Sequence, residues 1–260
     1  MFVSTVIVCA ALALVSPAPV APAPAPAVAT VDGGVYASVA ASVAPAIVAV
    51  KFVMAMEGMG ENQDNEIHGV LIDPAGIVLV SSASMFGVEG MGRSIRPQEI
   101  KILVGGDTAG LEAEVIMRDR ERDLAWLQIT EELEGPLPAI DFAAGTEATL
   151  GQTLLQVWKL DKFFDRAPYI SEGTVASLVT KPRELFIASG EITIGLPVVS
   201  ESGSPLGFGV LQLPTQEEMS AMSGSNMYSR MIFARTILPA AEVAQATAQA
   251  LATLEDEEEE

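Results

Sequence analysis

The chain has 260 residues and a formal net charge of −20, and half of its residues are hydrophobic. That length and apolar content predict a folded globular body, as one large domain or two lobes, and exclude a wholly disordered chain. The last six residues carry −6 of the charge, so the remainder still carries −14. This negative charge argues against binding to a phosphate backbone, and nucleic acid is not an expected partner.

An apolar run, FVSTVIVCAALALV (2–15), opens the chain. Its length is typical of a signal-peptide core and is too short for a bilayer span. We expect a signal peptide over 1–27, cleaved after Ala27 at an A-x-A site, although no Lys or Arg precedes the apolar run. The expected location is therefore periplasmic or extracellular, with no membrane span in the mature chain. The alternative is an uncleaved N-terminal anchor.

Cys9 is the only cysteine of the chain, so the mature protein is expected to lack disulfides. The residues before it, VIV, are not the small residues of a lipoprotein cleavage site, and no lipid attachment is expected at Cys9. Residues 28–44 are interpreted as a Pro/Ala-rich linker.

Short β-branched or alternating stretches then follow one another, separated by turn sequences such as DPAG and GGDTAG. They predict strands over 46–54, 68–72, 77–80, 99–104, 112–118, 124–129, 153–158, 174–179, 185–188, 196–200, 207–213 and 231–237. A dozen short strands with turn signals favour an all-β sandwich or barrel. Only residues 239–255, with proline at the start and an Ala-rich body, predict a helix.

The Pro-containing stretch EGPLPAIDFAAG (134–145) is expected to link two β lobes, at about 45–140 and 146–240. Residues 251–260 are expected to form an acidic tail, disordered from about Glu255 onward because consecutive carboxylates repel one another.

Five stretches occur in the order and approximate spacing of the HtrA/Deg branch of trypsin-like serine proteases. They are HGVLIDPAGIVLVSSASM (68–85), EVIMRDRERDLAWLQI (114–129), LGQTLLQVWKLDK (150–162), SEGTVASLVTKPR (171–183) and SESGSPLGFGV (200–210). The chain resembles that family over about residues 45–240. The resemblance implies a trypsin-like domain over 45–250 made of two six-stranded β-barrels. No PDZ-like module is expected after residue 240, and the resemblance does not settle the oligomeric state.

The resemblance also assigns positions in the catalytic triad. Asp123 matches the aspartate that orients the imidazole, and Ser202 matches the nucleophile. Ala83, however, stands at the histidine position. A methyl group cannot accept a proton, and loss of the histidine from such a triad costs about a millionfold in turnover.

The loop around Ser202 departs from the family as well. Ser200 and Glu201 replace the glycine and the Asn or Asp before the nucleophile, and Gly203 is followed by Ser204 instead of a second glycine. A carboxylate beside the site would oppose a developing oxyanion. The stretch PLGFGV also lacks the short turn that separates the equivalent family motif from its next strand.

These departures predict an exported, catalytically inactive protease homologue that binds a protein or peptide ligand or acts as a scaffold. The alternative is an active serine endopeptidase that uses an unusual base. That base would be His68, the only histidine, on a strand that runs beside the nucleophile loop in this fold, or a group supplied by a partner. The other interpretation of His68 is a structural strand residue. No cofactor and no metal are expected.

The sequence contains two further groups of residues with a possible role, the methionines and a set of basic residues. Met54, Met56 and Met59 have a spacing that resembles copper(I) sites, but adaptable apolar packing is the expected role, with a Met-lined peptide surface as an intermediate reading. Met85, Met91, Met219, Met222, Met227 and Met231 fall in or beside other predicted loops. The basic residues Lys159, Lys162, Arg166, Lys181 and Arg183 are expected to pair with Glu172 and Glu184 rather than to form a positive patch.

Overall fold

The computed structural model describes residues 33–55, 63–88, 96–106, 109–181, 183–212 and 236–258. The described chain forms two closed six-stranded antiparallel barrels and a C-terminal helix, which confirms the predicted fold class. The first barrel consists of β1 (Ile47–Ala55), β2 (Gln63–Asp73), β3 (Ile77–Ser81), β4 (Arg96–Leu103), β5 (Leu111–Asp119) and β6 (Leu124–Ile129). The second consists of β7 (Thr153–Lys159), β8 (Pro168–Val179), β9 (Leu185–Ser189), β10 (Pro197–Val199), β11 (Pro205–Val210) and β12 (Thr236–Pro239).

The two barrels share one topology. The strand order is β1-β2-β3-β6-β5-β4 in the first and β10-β11-β12-β9-β8-β7 in the second. Closure leaves few unpaired edges, and it explains why strands such as IVLVS (77–81) and PLGFGV (205–210) are buried along their whole length. In this arrangement β10 and β11 are consecutive, hydrogen-bonded strands of one hairpin.

The segment between the barrels is packed rather than loose. The amides of Leu137 and Ile140 donate to carbonyls of the first barrel, and Thr146 N donates to the carbonyl of Pro205 in the second. The Phe142 ring contacts the Phe208 ring edge to face, at 6.2 Å between centroids. A continuous apolar core therefore runs from one barrel into the other.

Three helices accompany the barrels in the described chain. The first, α1 (Gly33–Val43), occupies most of the predicted linker, so the interpretation of 28–44 as a linker is wrong for those residues. Its apolar residues Val39 and Val43 are buried, and its Tyr36 hydroxyl donates a hydrogen bond to Glu172 on β8. Burial of an apolar face stabilises a helix whose Gly- and Pro-flanked sequence gave little sign of it.

The other two helices follow β3 and β12. The short helix α2 (Ser82–Phe86) begins at the end of β3, and α3 (Ala240–Glu258) follows β12 directly. The predicted helix end at residue 255 and the predicted disorder from Glu255 onward are wrong for residues 255–258, because the helical backbone continues through Glu258. Thr247 on α3 accepts a hydrogen bond from the indole N–H of Trp126 at 3.0 Å, which fastens the helix to β6.

Ion pairs and hydrogen bonds from basic side chains also connect the barrels. Arg166 forms a two-pronged pair with Glu66 at 2.6 and 3.0 Å, and Lys159 Nζ donates to the carbonyl of Ile47 at 2.7 Å. Arg183 lies 3.7 Å from Glu121. The expected partners Glu172 and Glu184 are therefore wrong for Arg166 and Arg183, because the fold brings acidic residues of the first barrel to them.

Several sequence predictions lie outside the described residues. They include the signal peptide, Cys9, residues 28–32 of the linker, residues 259–260 of the acidic tail, and the methionines at 56, 59, 91, 219, 222, 227 and 231. Met85 is fully buried in the core, and Met54 packs partly against it. None of the helices in the described ranges is long and apolar enough to span a membrane.

Candidate active site

Asp123 lies in the tight turn that leads from β5 into β6. Its backbone has a φ of 59°, in the left-handed region, which aspartate tolerates better than most residues. Asp119 stabilises this turn by accepting hydrogen bonds from the amide of Arg122 at 3.0 Å and from its guanidinium at 2.8 Å. The turn buries the Asp123 side chain between the barrels, with only 4% of the residue exposed.

The Asp123 carboxylate accepts three hydrogen bonds. Oδ1 accepts from the amide of Ala83 at 2.6 Å, and Oδ2 accepts from the Ser81 hydroxyl and the Leu211 amide, both at 2.8 Å. Burial raises the pKa of Asp123, and these hydrogen bonds and the positive charge of Arg118 oppose that rise. The carboxylate is thus occupied by two backbone amides and a hydroxyl.

Ala83 lies in the first turn of α2, directly beside this carboxylate. Ser81 caps the helix by accepting a hydrogen bond from Ser84 N at 3.1 Å. Arg118 on β5 contacts α2 at two residues. It donates a hydrogen bond to the Ser82 hydroxyl at 2.6 Å, and its guanidinium lies 4.3 Å from the centre of the Phe86 ring. The structure therefore places residue 83 next to Asp123, as the resemblance implied, but the side chain there is a methyl group.

Ser202 lies at the tip of the β10–β11 hairpin. Ser200 N donates to the carbonyl of Ser204 and Gly203 N donates to the carbonyl of Ser200, both at 2.9 Å. Gly203 has a φ of 82°, which closes this five-residue connection. The exposed Ser202 hydroxyl has hydrogen bonds of 2.8 and 3.1 Å with the hydroxyls of Ser200 and Ser204.

The structure does not bring Ser202 and Asp123 together. The turn precedes Pro205 at one end of β11, whereas Leu211, which contacts Asp123, follows the other end. At about 3.3 Å per residue, the six residue-to-residue steps from Pro205 to Leu211 span about 20 Å. That separation exceeds by far the hydrogen-bonding distances that join the members of a catalytic triad.

The predicted oxyanion loop, residues 200, 201 and 203, does not present free backbone amides at Ser200 and Gly203. The amide of Ser200 is already bonded to the Ser204 carbonyl within the hairpin turn, and Gly203 N is bonded as well. Glu201 is exposed beside them. These amides therefore complete a β-turn, and an oxyanion would have to compete with the carbonyls that they already bind.

The segment that lies against α2 is residues 190–196, which connect β9 to β10. A Cβ on Gly195 would lie 3.4 Å from Ser81 N and 3.5 Å from Ser81 Cβ, and the φ of 84° at Gly195 favours glycine. Gly195 N donates to the carbonyl of Gly209 at 2.8 Å, and Gly209 N donates to the carbonyl of Leu196 at 2.9 Å. These bonds attach the segment to β11 next to Asp123.

Gln156 is the anchor of this segment that sequence reasoning missed. Its side chain is fully buried on β7; Nε2 donates to the carbonyl of Thr193 at 2.9 Å, and Oε1 accepts from the Thr193 amide at 2.7 Å. The signal was present in TLLQVW, where a glutamine interrupts an otherwise apolar core strand. Such a residue needs buried partners, and here they are backbone groups.

His68 lies on β2, on one wall of an open cleft of about 510 Å³. The cleft is lined by Glu66, Ile67, His68, Leu160, Asp161, Lys162 and Phe163. Burial lowers the pKa of His68, the nearby Glu66 opposes this, and Arg166 adds to it. No hydrogen bond joins His68 to Ser202 or to Asp123 among the described residues, so the structure supplies neither residue with this base.

The described residues contain no group of three or more His, Cys, Asp and Glu side chains placed to hold a metal ion. The site is therefore built from one carboxylate, backbone amides, hydroxyls and apolar side chains. Among the described residues, Asp123 accepts from the Ser81 hydroxyl, and no imidazole lies beside Asp123 or Ser202.

Structural comparison agrees with this architecture. The protease domain of MamO from Magnetospirillum magneticum, in its apo form, is similar with a TM-score of 0.50 and 17% identity, over 79% of this chain and 97% of that one. The structure of Deg5 is similar with a TM-score of 0.55 and 16% identity, over 82% and 91% of the two chains. No protein-family model and no curated protein matches the sequence. The structural likeness shows the trypsin-like fold of the HtrA/Deg type, as the sequence predicted.

Proposed function

We propose that this protein is an exported, non-hydrolytic member of the trypsin-like fold that binds extended peptides or unfolded segments of other proteins. The observation that carries the proposal is the separation of Asp123 from Ser202 by the length of β11. A methyl group at position 83 adds to this separation, so Asp123 and Ser202 cannot act together through a base between them. In this proposal Asp123 has a structural role, as a fastener that joins the two barrels through its hydrogen bonds to Ser81, Ala83 and Leu211.

The cleft beside His68 supplies the binding surface. Among the described strands, residues 63–69 of β2 pair with β1 only, so their other edge has no strand partner. An extended peptide pairs naturally with such an edge through its backbone. Phe163 stands across the cleft with 85% of its surface exposed, which supports its role as an apolar contact for a ligand side chain.

Charged groups at the cleft are arranged to keep its two walls together. The Glu66–Arg166 pair joins the β2 wall to the loop between β7 and β8, and it leaves Lys162 and Asp161 at the rim. Mixed charge at the rim and apolar surface at the centre suit a peptide of varied sequence. Export rests on the signal peptide expected over 1–27.

Fluorescein-labelled β-casein, a naturally unfolded protein, tests the proposal. We expect its fluorescence anisotropy to rise with added protein while no fragments appear on gels. Phe163→Ala is expected to weaken binding several-fold, because it removes the exposed ring. Leu178→Ala is the matched control, since Leu178 is also exposed, at 54%, but lies on β8 outside the cleft.

Two results would contradict the proposal. The first is the appearance of casein fragments that a control preparation lacking this protein does not produce. Such fragments would show an active endopeptidase with an unidentified base. Binding that responds equally to the two alanine variants, or no binding at all, would exclude the cleft as the binding surface.

A further inference from the structure

The residues that stand where a trypsin-type nucleophile would have to lie are those of the segment 190–196. A base at position 83, oriented by Asp123, must reach the hydroxyl of the nucleophile within about 2.6–3.2 Å. The nucleophile must therefore belong to chain that touches the start of α2. Gly195 touches it, because a Cβ there would lie within 3.5 Å of Ser81.

The order of the strands makes the same point. The β10–β11 connection, residues 200–204, is a closed hairpin turn with Ser202 at its tip. The stretch PLGFGV lacks the turn that should follow the family's nucleophile motif. SESGS is that turn. The chain that corresponds to the nucleophile loop must then precede β10, and the segment that does so is residues 190–196.

Within this segment the surrounding bonds single out one residue. Thr193 is bound through its N–H and C=O to Gln156, and Gly195 N is bound to Gly209. Ile192 is buried in the core of the second barrel. Ile194, between the two anchored residues and directly before Gly195, remains half-buried.

We infer that Ile194 occupies the position of the nucleophile, and that Ser202 has no relation to it. The two positions that would carry the base and the nucleophile are thus filled by apolar side chains, Ala83 and Ile194. This inference deepens the proposed function, on which it rests. It explains the absence of hydrolysis by the architecture of the loop, so that a missing histidine is only one part of it.

The close packing of the loop supports this reading. A Cβ on Gly209 would lie 2.7 Å from the carbonyl oxygen of Thr193 and 3.5 Å from the Cα of Ile194. Glycine at position 209 therefore allows residues 193–194 to lie directly on β11. The Ile194 side chain is a branched hydrocarbon and has no oxygen with which to attack a carbonyl.

Cysteine pairs test the placement without requiring catalysis. In a Cys9→Ala background, Ala83→Cys is combined either with Ile194→Cys or with Ser202→Cys. Dibromobimane becomes fluorescent only when it bridges two thiols in near contact. We expect a fluorescent bridge in the 83/194 pair and none in the 83/202 pair, with each single cysteine variant as a blank and monobromobimane as the measure of thiol accessibility.

A bridge in the 83/202 pair would overturn the inference, and so would failure of the 83/194 pair to bridge. Gly195→Cys with Ser81→Cys provides a second pair for the same contact, read as a disulfide on non-reducing gels. These outcomes concern placement only, whereas casein cleavage concerns the proposed function, so the two failures are distinguishable.

The variant Ala83→His, with the native Ser202, provides a further test. We expect its esterase activity to rise by less than about a hundredfold, which is the scale of general-base catalysis. A fluorophosphonate adduct at Ser202 in that variant would also overturn the inference.

Discussion

The backbone N–H of Leu211 donates a 2.8 Å hydrogen bond to Oδ2 of Asp123. Leu211 follows the last residue of β11 in the second barrel, and Asp123 precedes β6 in the first, so this bond connects the barrels. The Ser81 hydroxyl shares the same oxygen, and the Ala83 amide binds the other. The Asp123 carboxylate therefore has three hydrogen-bond donors although no imidazole is present, and we expect it to contribute to the free energy of unfolding.

Asp123→Asn is therefore expected to destabilise the protein by about 1–3 kcal/mol, the cost of leaving a buried hydrogen-bonding group unsatisfied. An amide offers one acceptor oxygen to three donors, and its NH2 group faces at least one of them. This loss outweighs the relief of burying a neutral group in place of a carboxylate. Urea unfolding measures the change, with Asp141→Asn, an exposed capping residue, as the control. A neutral or stabilising effect at Asp123 would contradict the fastener role.

Ser202 is expected to be chemically ordinary. A fluorophosphonate probe should give no adduct at Ser202 in the chain 28–260, because the hydroxyl is exposed and its hydrogen bonds within the described residues are to the hydroxyls of Ser200 and Ser204. Ser202→Ala should change the free energy of unfolding by less than about 0.5 kcal/mol, as is usual for exposed positions. Stoichiometric labelling that disappears in Ser202→Ala would show that the serine is activated.

The pH dependence of stability should carry the signature of His68, the only histidine of the chain. Its folded-state pKa is lowered by burial, so the folded protein favours the neutral ring. The stabilisation is present above the ordinary histidine pKa of about 6.5 and is lost as the pH falls through it toward the folded-state value. We expect the free energy of unfolding to fall between pH 7.5 and 5.5, by at most about 1.4 kcal/mol per pH unit, and His68→Gln to remove that slope. An unchanged slope in the variant would assign it to other groups.

The pair between Glu66 and Arg166 should titrate in a lower range. Its hydrogen bond from Arg166 lowers the pKa of Glu66, so its contribution is present above the ordinary glutamate pKa of about 4.3 and is lost as the pH falls through it to the folded-state value. A double-mutant cycle with Glu66→Gln and Arg166→Gln should give a coupling energy of about 0.5–1 kcal/mol, because Glu66 is a third exposed. The coupling should shrink in high salt. A coupling that is unchanged at pH 3 would contradict the ionic nature of the contact.

Deletion of residues 255–260 should leave the melting temperature unchanged, or raise it slightly at low salt. These residues add six negative charges at the C-terminal end of α3, where the helix dipole disfavours them by some tenths of a kcal/mol each. The effect should disappear at high salt, since salt screens charge–dipole interactions. A loss of several degrees on deletion would show that this end of the helix is needed for folding.

Much of the architecture follows from local patterns in the sequence. Stretches such as IVLVS and LAWLQI are β-branched or alternating and bounded by turn residues, and each of the twelve predicted strands overlaps a strand of the barrels. The C-terminal helix is equally visible, because an Ala-rich run after a proline favours helix through its own backbone preferences. Helix α1 was missed, since its stability comes from the burial of Val39 and Val43, which depends on partners distant in the sequence.

The candidate site shows the same division. The family resemblance implied neighbouring positions for Ala83 and Asp123. In the structure the Ala83 amide donates to Asp123, because each residue lies just beyond the end of one of two strands, β3 and β6, that pair directly. Ser202 resembles a nucleophile because Gly-Ser-Pro-Leu follows it, yet the same residues close a hairpin turn. The sequence of a five-residue turn does not reveal which residues lie about 20 Å away, at the other end of the strand. The sequence by itself determined the strands, their approximate order and the alanine at position 83. Only the tertiary structure decided that residues 190–196 lie against Ser81, whose hydroxyl binds Asp123. That contact depends on strand register and on the buried side chain of Gln156, both of which join residues far apart in the chain.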